Sequence, residues 1–79
     1  MARIDSKHFD VANKNNSVHQ QVEAKYSFFN DNGVNYFELE TFGSTNRENP
    51  GKQSQIIQFD EATAKVLVNL LIDKFKLKY

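Results

Sequence analysis

From Val18 to Phe28 the chain alternates one for one: Val18, Gln20, Val22, Ala24, Tyr26 and Phe28 on one side, His19, Gln21, Glu23, Lys25 and Ser27 on the other. A period of two is the mark of a half-buried β-strand. Asn30-Asp31-Asn32-Gly33 follows, and Asn-Gly is the preferred central pair of a type I′ hairpin turn, because both positions need positive φ. A second strand then runs from Val34 to Phe42. With Asn32-Gly33 at the centre, residues whose numbers add to 65 face each other. Phe28 meets Phe37, Tyr26 meets Leu39 and Ala24 meets Thr41 on an apolar side. On the other side Phe29 meets Tyr36 and Lys25 meets Glu40, an aromatic and an opposite-charge pair worth roughly 0.2 to 1 kcal/mol each. A slip of two residues sets Glu23 against Glu40, which like-charge repulsion disfavours.

Gly43 to Lys52 is a polar loop containing two glycines and the single proline, and Ile56, Ile57 and Phe59 mark a third strand over Gln53 to Phe59. Asp60 has the chemistry of a helix N-cap and Glu61 suits the positive end of the dipole. The helix predicted from Glu61 to about Lys76 carries two apolar stripes. Ala64, Leu67, Val68, Leu71 and Phe75 form the first and Val66, Leu70 and Leu77 the second, offset from it. The sheet accounts for the first. The second calls for another cover, either the matching helix of a second copy or the N-terminal segment through Phe9 and Val11. Residues 1 to 17 form a polar arm ahead of a domain over 18–79. Within that arm Ile4 to Val11 supplies an edge strand or a mobile extension anchored by Phe9, and Asn13 to Ser17 is a loop.

A chain of 79 residues buries only about 60 to 65% of the surface its unfolded form exposes, so small domains add disulfides, metals or subunits. There is no cysteine, and the two histidines, His8 and His19, lack the spacing of a chelate. No cofactor is implied, and association remains as the stabilising device. No apolar run approaches a signal peptide core or a membrane span, which points to a cytoplasmic protein. Asn15-Asn16-Ser17 matches a glycosylation sequon that such a location leaves unused.

Ten basic and ten acidic residues cancel, which argues against strong sequence-independent phosphate binding. Lys65, Lys74, Lys76 and Lys78 crowd the C-terminal segment, where they either form a basic patch or complement the helix dipole. The chain has no nucleophile elbow, phosphate loop or dinucleotide fingerprint. Glu38 and Glu40 share a strand face, but an exposed sheet with Lys25 opposite is a poor place to raise a carboxylate pKa. No catalytic constellation is therefore expected. The feature with functional content is the outward sheet face, where Phe29, Tyr36 and Phe42 share one side. Such rings either accept bases by stacking, with Lys25, Arg47 and Lys52 taking phosphates, or they lie under the N-terminal segment or a subunit.

The order strand, Asn-Asp-Asn-Gly turn, strand, Pro-Gly-Lys loop, strand and apolar helix, from about Val22 to Ile72, resembles the single-stranded-DNA-binding family of the transcriptional coactivator positive cofactor four and its bacterial and phage relatives. The stretches that carry the resemblance are Tyr36-Phe37-Glu38-Leu39-Glu40-Thr41-Phe42, Asn49-Pro50-Gly51-Lys52 and Ile57-Gln58-Phe59-Asp60-Glu61. It implies a base-stacking role for Phe42, a phosphate contact for Lys52, and a homodimer whose helices pack together beneath curved sheets. This chain departs from the family in carrying Glu38 and Glu40 where basic residues are usual. The expectation is thus an α+β homodimer, a curved antiparallel sheet of three to four strands followed by a C-terminal helix. It dimerises through Val66, Leu70 and Leu77 and binds single-stranded DNA or RNA, with DNA favoured over RNA, as a transcription or DNA-metabolism cofactor. The rival is a protein-interaction module, such as a small regulator or inhibitor, that uses the same aromatic face.

Overall fold

A computed structural model of the chain describes residues 1–43 and 53–78. Four strands, β1 (Ala2–Ile4), β2 (Glu23–Asp31), β3 (Val34–Phe42) and β4 (Gln53–Asp60), are followed by one helix, α1 (Glu61–Phe75). They form an α+β unit whose sheet has the order β1-β4-β3-β2. The β2–β3 hairpin has the expected register along its whole length, from Glu23 opposite Phe42 to Asp31 opposite Val34. Asn32 and Gly33 take φ values of 53° and 82°, as a type I′ turn requires. Gly33 N–H donates to Asn30 Oδ1, Asn30 Nδ2 to Asn35 Oδ1, and Asn35 Nδ2 to Glu61 Oε1 at 2.8 Å. This chain of amides ties the hairpin tip to the first turn of α1.

Two features differ from the sequence expectation. The sheet is mixed, because β1 runs parallel to β4, with Ala2 beside Ile57 and Ile4 beside Phe59. The N-terminal strand is three residues long and precedes a single 3-10 turn, Ser6–His8, so it stops well short of Val11. Of the two readings of residues 1–17, arm or edge strand, Ala2–Ile4 take the second, at the edge of the sheet beside β4. β2 also begins at Glu23 and not at Val18. The register would pair Val22 with Gly43, which lies beyond the end of β3, and the ladder stops there whatever the alternation on one side.

Strand alternation sorts the side chains onto two faces. Tyr26, Phe28, Phe37, Leu39, Ile57, Phe59 and Ile4 share the face that α1 approaches. Tyr26, Phe28, Phe37 and Phe59 form a run of ring contacts with centroids 4.9 to 6.1 Å apart. The helix starts where expected. The Asp60 carboxylate accepts from Thr63 N–H at 3.0 Å, and Lys76 ends the helix in the left-handed conformation. Thr63 is the only buried side chain among the described residues, 1% exposed, and its hydroxyl donates to the Ile4 carbonyl at 3.3 Å. That bond joins the helix to the first strand.

Among the described residues no hydrophobic side chain is buried. The first helical stripe does not close onto the sheet as its spacing suggested. Ala64 reaches a cleft with Phe28, Phe37 and Phe59, and Leu67 is half-buried, but Val68 and Phe75 stay 52% and 68% exposed. Phe9 is half-buried, yet Val11 stands in solvent and Val66, Leu70 and Leu77 remain exposed, so the N-terminal segment does not cover the second stripe.

Replacing Thr63 with valine keeps the shape and removes the hydroxyl bond to Ile4. The expected cost is about 1 kcal/mol in urea unfolding, with faster amide exchange in residues 2–4; unchanged stability and exchange would show that the pin is idle. A second prediction concerns acid. The Thr63 backbone N–H, the foremost cause, holds the Asp60 carboxyl below its ordinary value. A depressed carboxylate contributes stability that is present above its unfolded pKa and is lost as pH falls through the folded value. The advantage of wild type over Asp60→Asn, an uncharged cap of similar geometry, should narrow below about pH 4. Thermal melts across that range test it, and a pH-independent difference would contradict it.

Candidate nucleic-acid interface

The face turned away from α1 is built from the other alternation set: Lys25, Ser27 and Phe29 on β2, Phe42, Glu40, Glu38 and Tyr36 on β3, Ile56 and Gln58 on β4, and Arg3 on β1. Its aromatic residues form two stations and not one row. At the hairpin end Phe29 and Tyr36 stack across the strands, centroids 5.3 Å apart and planes inclined by 22°. At the far end Lys25 Nζ sits 5.3 Å from the centroid of Phe42, within reach of a cation–π attraction. Phe42 lies six positions along β3 from Tyr36, about 20 Å of extended chain.

Phe29 is 39% exposed, and Tyr36 and Phe42 are half-exposed, so neither station is sealed beneath the protein's own chain. Between them lie Glu38, which accepts from Gln58 Nε2 at 2.7 Å, and Glu40. Among the described residues acids outnumber bases here: Glu23, Glu38, Glu40 and Asp60 against Lys25 and Arg3. Arg3 was not foreseen as a site residue, because nothing local in Ala2-Arg3-Ile4 shows that this short strand joins β4; the parallel pairing sets Arg3 beside Gln58. A recess lined by Arg3, Ile4, Asp5, Tyr36 and Asp60 opens next to the Phe29–Tyr36 station.

Of the residues expected to bind nucleic acid, Lys25, Phe29, Tyr36 and Phe42 come together on this face. Arg47 and Lys52 lie outside the described residues. Val66 and Leu70 are exposed on α1, and Leu77 is exposed two residues beyond its end. The rings expected to be covered, Tyr26 and Phe28, are the barest in the sheet at 70% and 73% exposed, because α1 crosses β3 and β4 near its start and leaves β2 bare. Among the described residues, no three His, Asp or Glu side chains cluster as metal ligands, and no helix is long and apolar enough to cross a membrane.

No protein-family model, curated protein or solved structure matches this chain. What it does must be argued from the two stations and the charges around them.

A double-mutant cycle on Phe29→Ala and Tyr36→Ala should return a coupling of about 0.5 to 1 kcal/mol in unfolding free energy, the worth of a cross-strand aromatic pair. Strict additivity would mean that the rings do not support each other in solution.

Proposed function

We propose that the chain is a single-stranded nucleic-acid-binding module, for DNA rather than RNA, that acts as a homodimer through α1 in transcription or DNA metabolism. The observation that carries the proposal is the pair of aromatic stations left open on the sheet face away from the helix, one of them already dressed with a lysine. Flat rings accept any base, each stack being worth roughly 1 to 3 kcal/mol, and the Lys25 ammonium is placed to turn from the Phe42 ring to a phosphate. The spacing of the stations suits a strand of a few nucleotides lying across β3. The choice of DNA and the transcriptional setting follow the resemblance in residues 36–42, 49–52 and 57–61.

With Lys25 and Arg3 the cations of the face among the described residues, stacking supplies most of the affinity and counter-ion release little. Labelled single strands should bind with a shallow salt dependence, log Kd changing by less than about 3 per decade of salt. Phe42→Ala should weaken binding about 5- to 100-fold while leaving the circular dichroism spectrum intact, and duplex should bind far more weakly. Absence of single-strand binding at low salt sinks the proposal. It would favour a second reading, a protein-interaction module, which the excess of acids on the same face supports: Glu23, Glu38, Glu40 and Asp60 suit a basic segment of a protein partner.

A further inference from the structure

The helix-side surface is as unfinished as the opposite face is open, and it has a shape. At 100° per residue, Ala64, Val68, Leu71 and Phe75 form one flank of α1, and Val66, Leu70 and Leu77 form the other. The stripe of Glu61, Lys65, Asn69 and Asp73 lies beyond the first flank. The cleft lined by Phe28, Phe37, Phe59 and Ala64 meets, at Ala64 and Glu61, a shallow groove along Ala64, Lys65, Val68 and Asn69. Bare rings on β2 and a bare helix flank thus bound one continuous apolar trough. Its members Tyr26, Phe28, Val68 and Phe75 are more exposed than Leu70, at 45%, or any other residue of the second flank.

The amount of uncovered surface says what kind of partner is missing. The chain exposes 7213 Å², against about 4,900 Å² for a folded monomer of its 9.1 kDa mass. Its radius of gyration is 14.9 Å, where a compact chain of this length has about 11.6 Å. The stretch from Asp10 to Val22, exposed throughout, supplies part of the excess. Half of the excess would still match a standard interface of about 800 Å² per partner, and the whole is in the range of obligate homodimers.

The geometry points to a second copy of this chain seated in the trough, so that the dimer seam is formed by the Ala64, Val68, Leu71 and Phe75 flank together with Tyr26 and Phe28, and not by Val66, Leu70 and Leu77. This rests on the homodimer reading and names its surface. Two antiparallel helices related by a two-fold axis between Asn69 and Leu70 pair residues whose numbers add to 139. Ala64 then faces the partner's Phe75, small against large, and Val68 faces the partner's Leu71. The seam is self-complementary in volume, as a two-fold interface must be.

Because the natural chain has no cysteine, cross-linking reads the seam directly. In the double variant Ala64→Cys/Phe75→Cys the two thiols sit 11 positions apart, about 16 Å along one helix, too far to bond within a chain. Mild oxidation should convert this variant to a covalent dimer, while Val66→Cys/Leu77→Cys, with the same spacing on the other flank, should stay uncrosslinked. Light scattering of the wild type should give twice the chain mass. A dimeric wild type whose Val66/Leu77 variant alone cross-links overturns the seam and leaves the dimer standing. A monomeric wild type overturns both, and would leave residues 10–22 as the cover to be sought.

Discussion

Everything in this fold answers to a shortage of covering surface. A helix that is apolar round most of its circumference rests on a sheet through Ala64, Leu67 and the pinned Thr63, and Thr63 alone among the described residues is buried. One helix on a thin sheet cannot remove both helical flanks and the β2 rings from water. The helix is held at its start by polar means instead: Asp60 caps it, Asn35 holds Glu61, and Thr63 bonds to Ile4. These bonds set its direction over β3 and β4. Its far end, with Phe75, extends away from the sheet.

The strand β3 separates two kinds of surface. Phe37 and Leu39 face the helix, while Tyr36, Glu38, Glu40 and Phe42 face away, so one nine-residue strand feeds both the apolar trough and the aromatic stations. The outward face is acidic between its stations, which sets the terms on which any polyanion could approach. Phosphates gain little there, so a strand that binds must be held through its bases. A basic protein segment would find the opposite balance, attracted by the glutamates and held by the rings. The salt dependence and the effect of Phe42→Ala therefore report on different features of the same face.

Where a feature depended on neighbours in sequence, the residues made it legible. The Asn-Gly turn determined every cross-strand pair of the hairpin, and with it the Phe29–Tyr36 contact and the side of the sheet shared by Lys25 and Phe42. Asp60 announced the helix start, and its carboxylate is found on Thr63 N–H. Features made by distant partners stayed hidden. Ala2-Arg3-Ile4 is too short to show periodicity, and its parallel placement beside β4, more than fifty residues away, brought Arg3 to the outward face unannounced. Alternation on its own overextended β2 to Val18, since a strand ends where its partner does. Helical spacing marks two apolar stripes, but which one the sheet covers depends on where the helix crosses, and spacing carries no information on that.

The two open surfaces lie on opposite sides of one sheet, and this relation constrains the proposals jointly. A second copy seated in the trough covers Tyr26, Phe28 and the helix flank and reaches the edge of Tyr36, which lines the same cleft, while Phe42 lies at the far end of the opposite face. Dimerisation through the helix side therefore leaves the Lys25–Phe42 station of each copy in solvent, two in all. A ligand long enough to reach from one copy to the other then gains a second, intramolecular binding event at high effective concentration. Weak individual stations on an acidic face can in this way yield useful affinity for a long flexible strand while giving little for a short one. A dimer made by burying the outward rings would have no such property, since the same side chains cannot both seal an interface and receive a base.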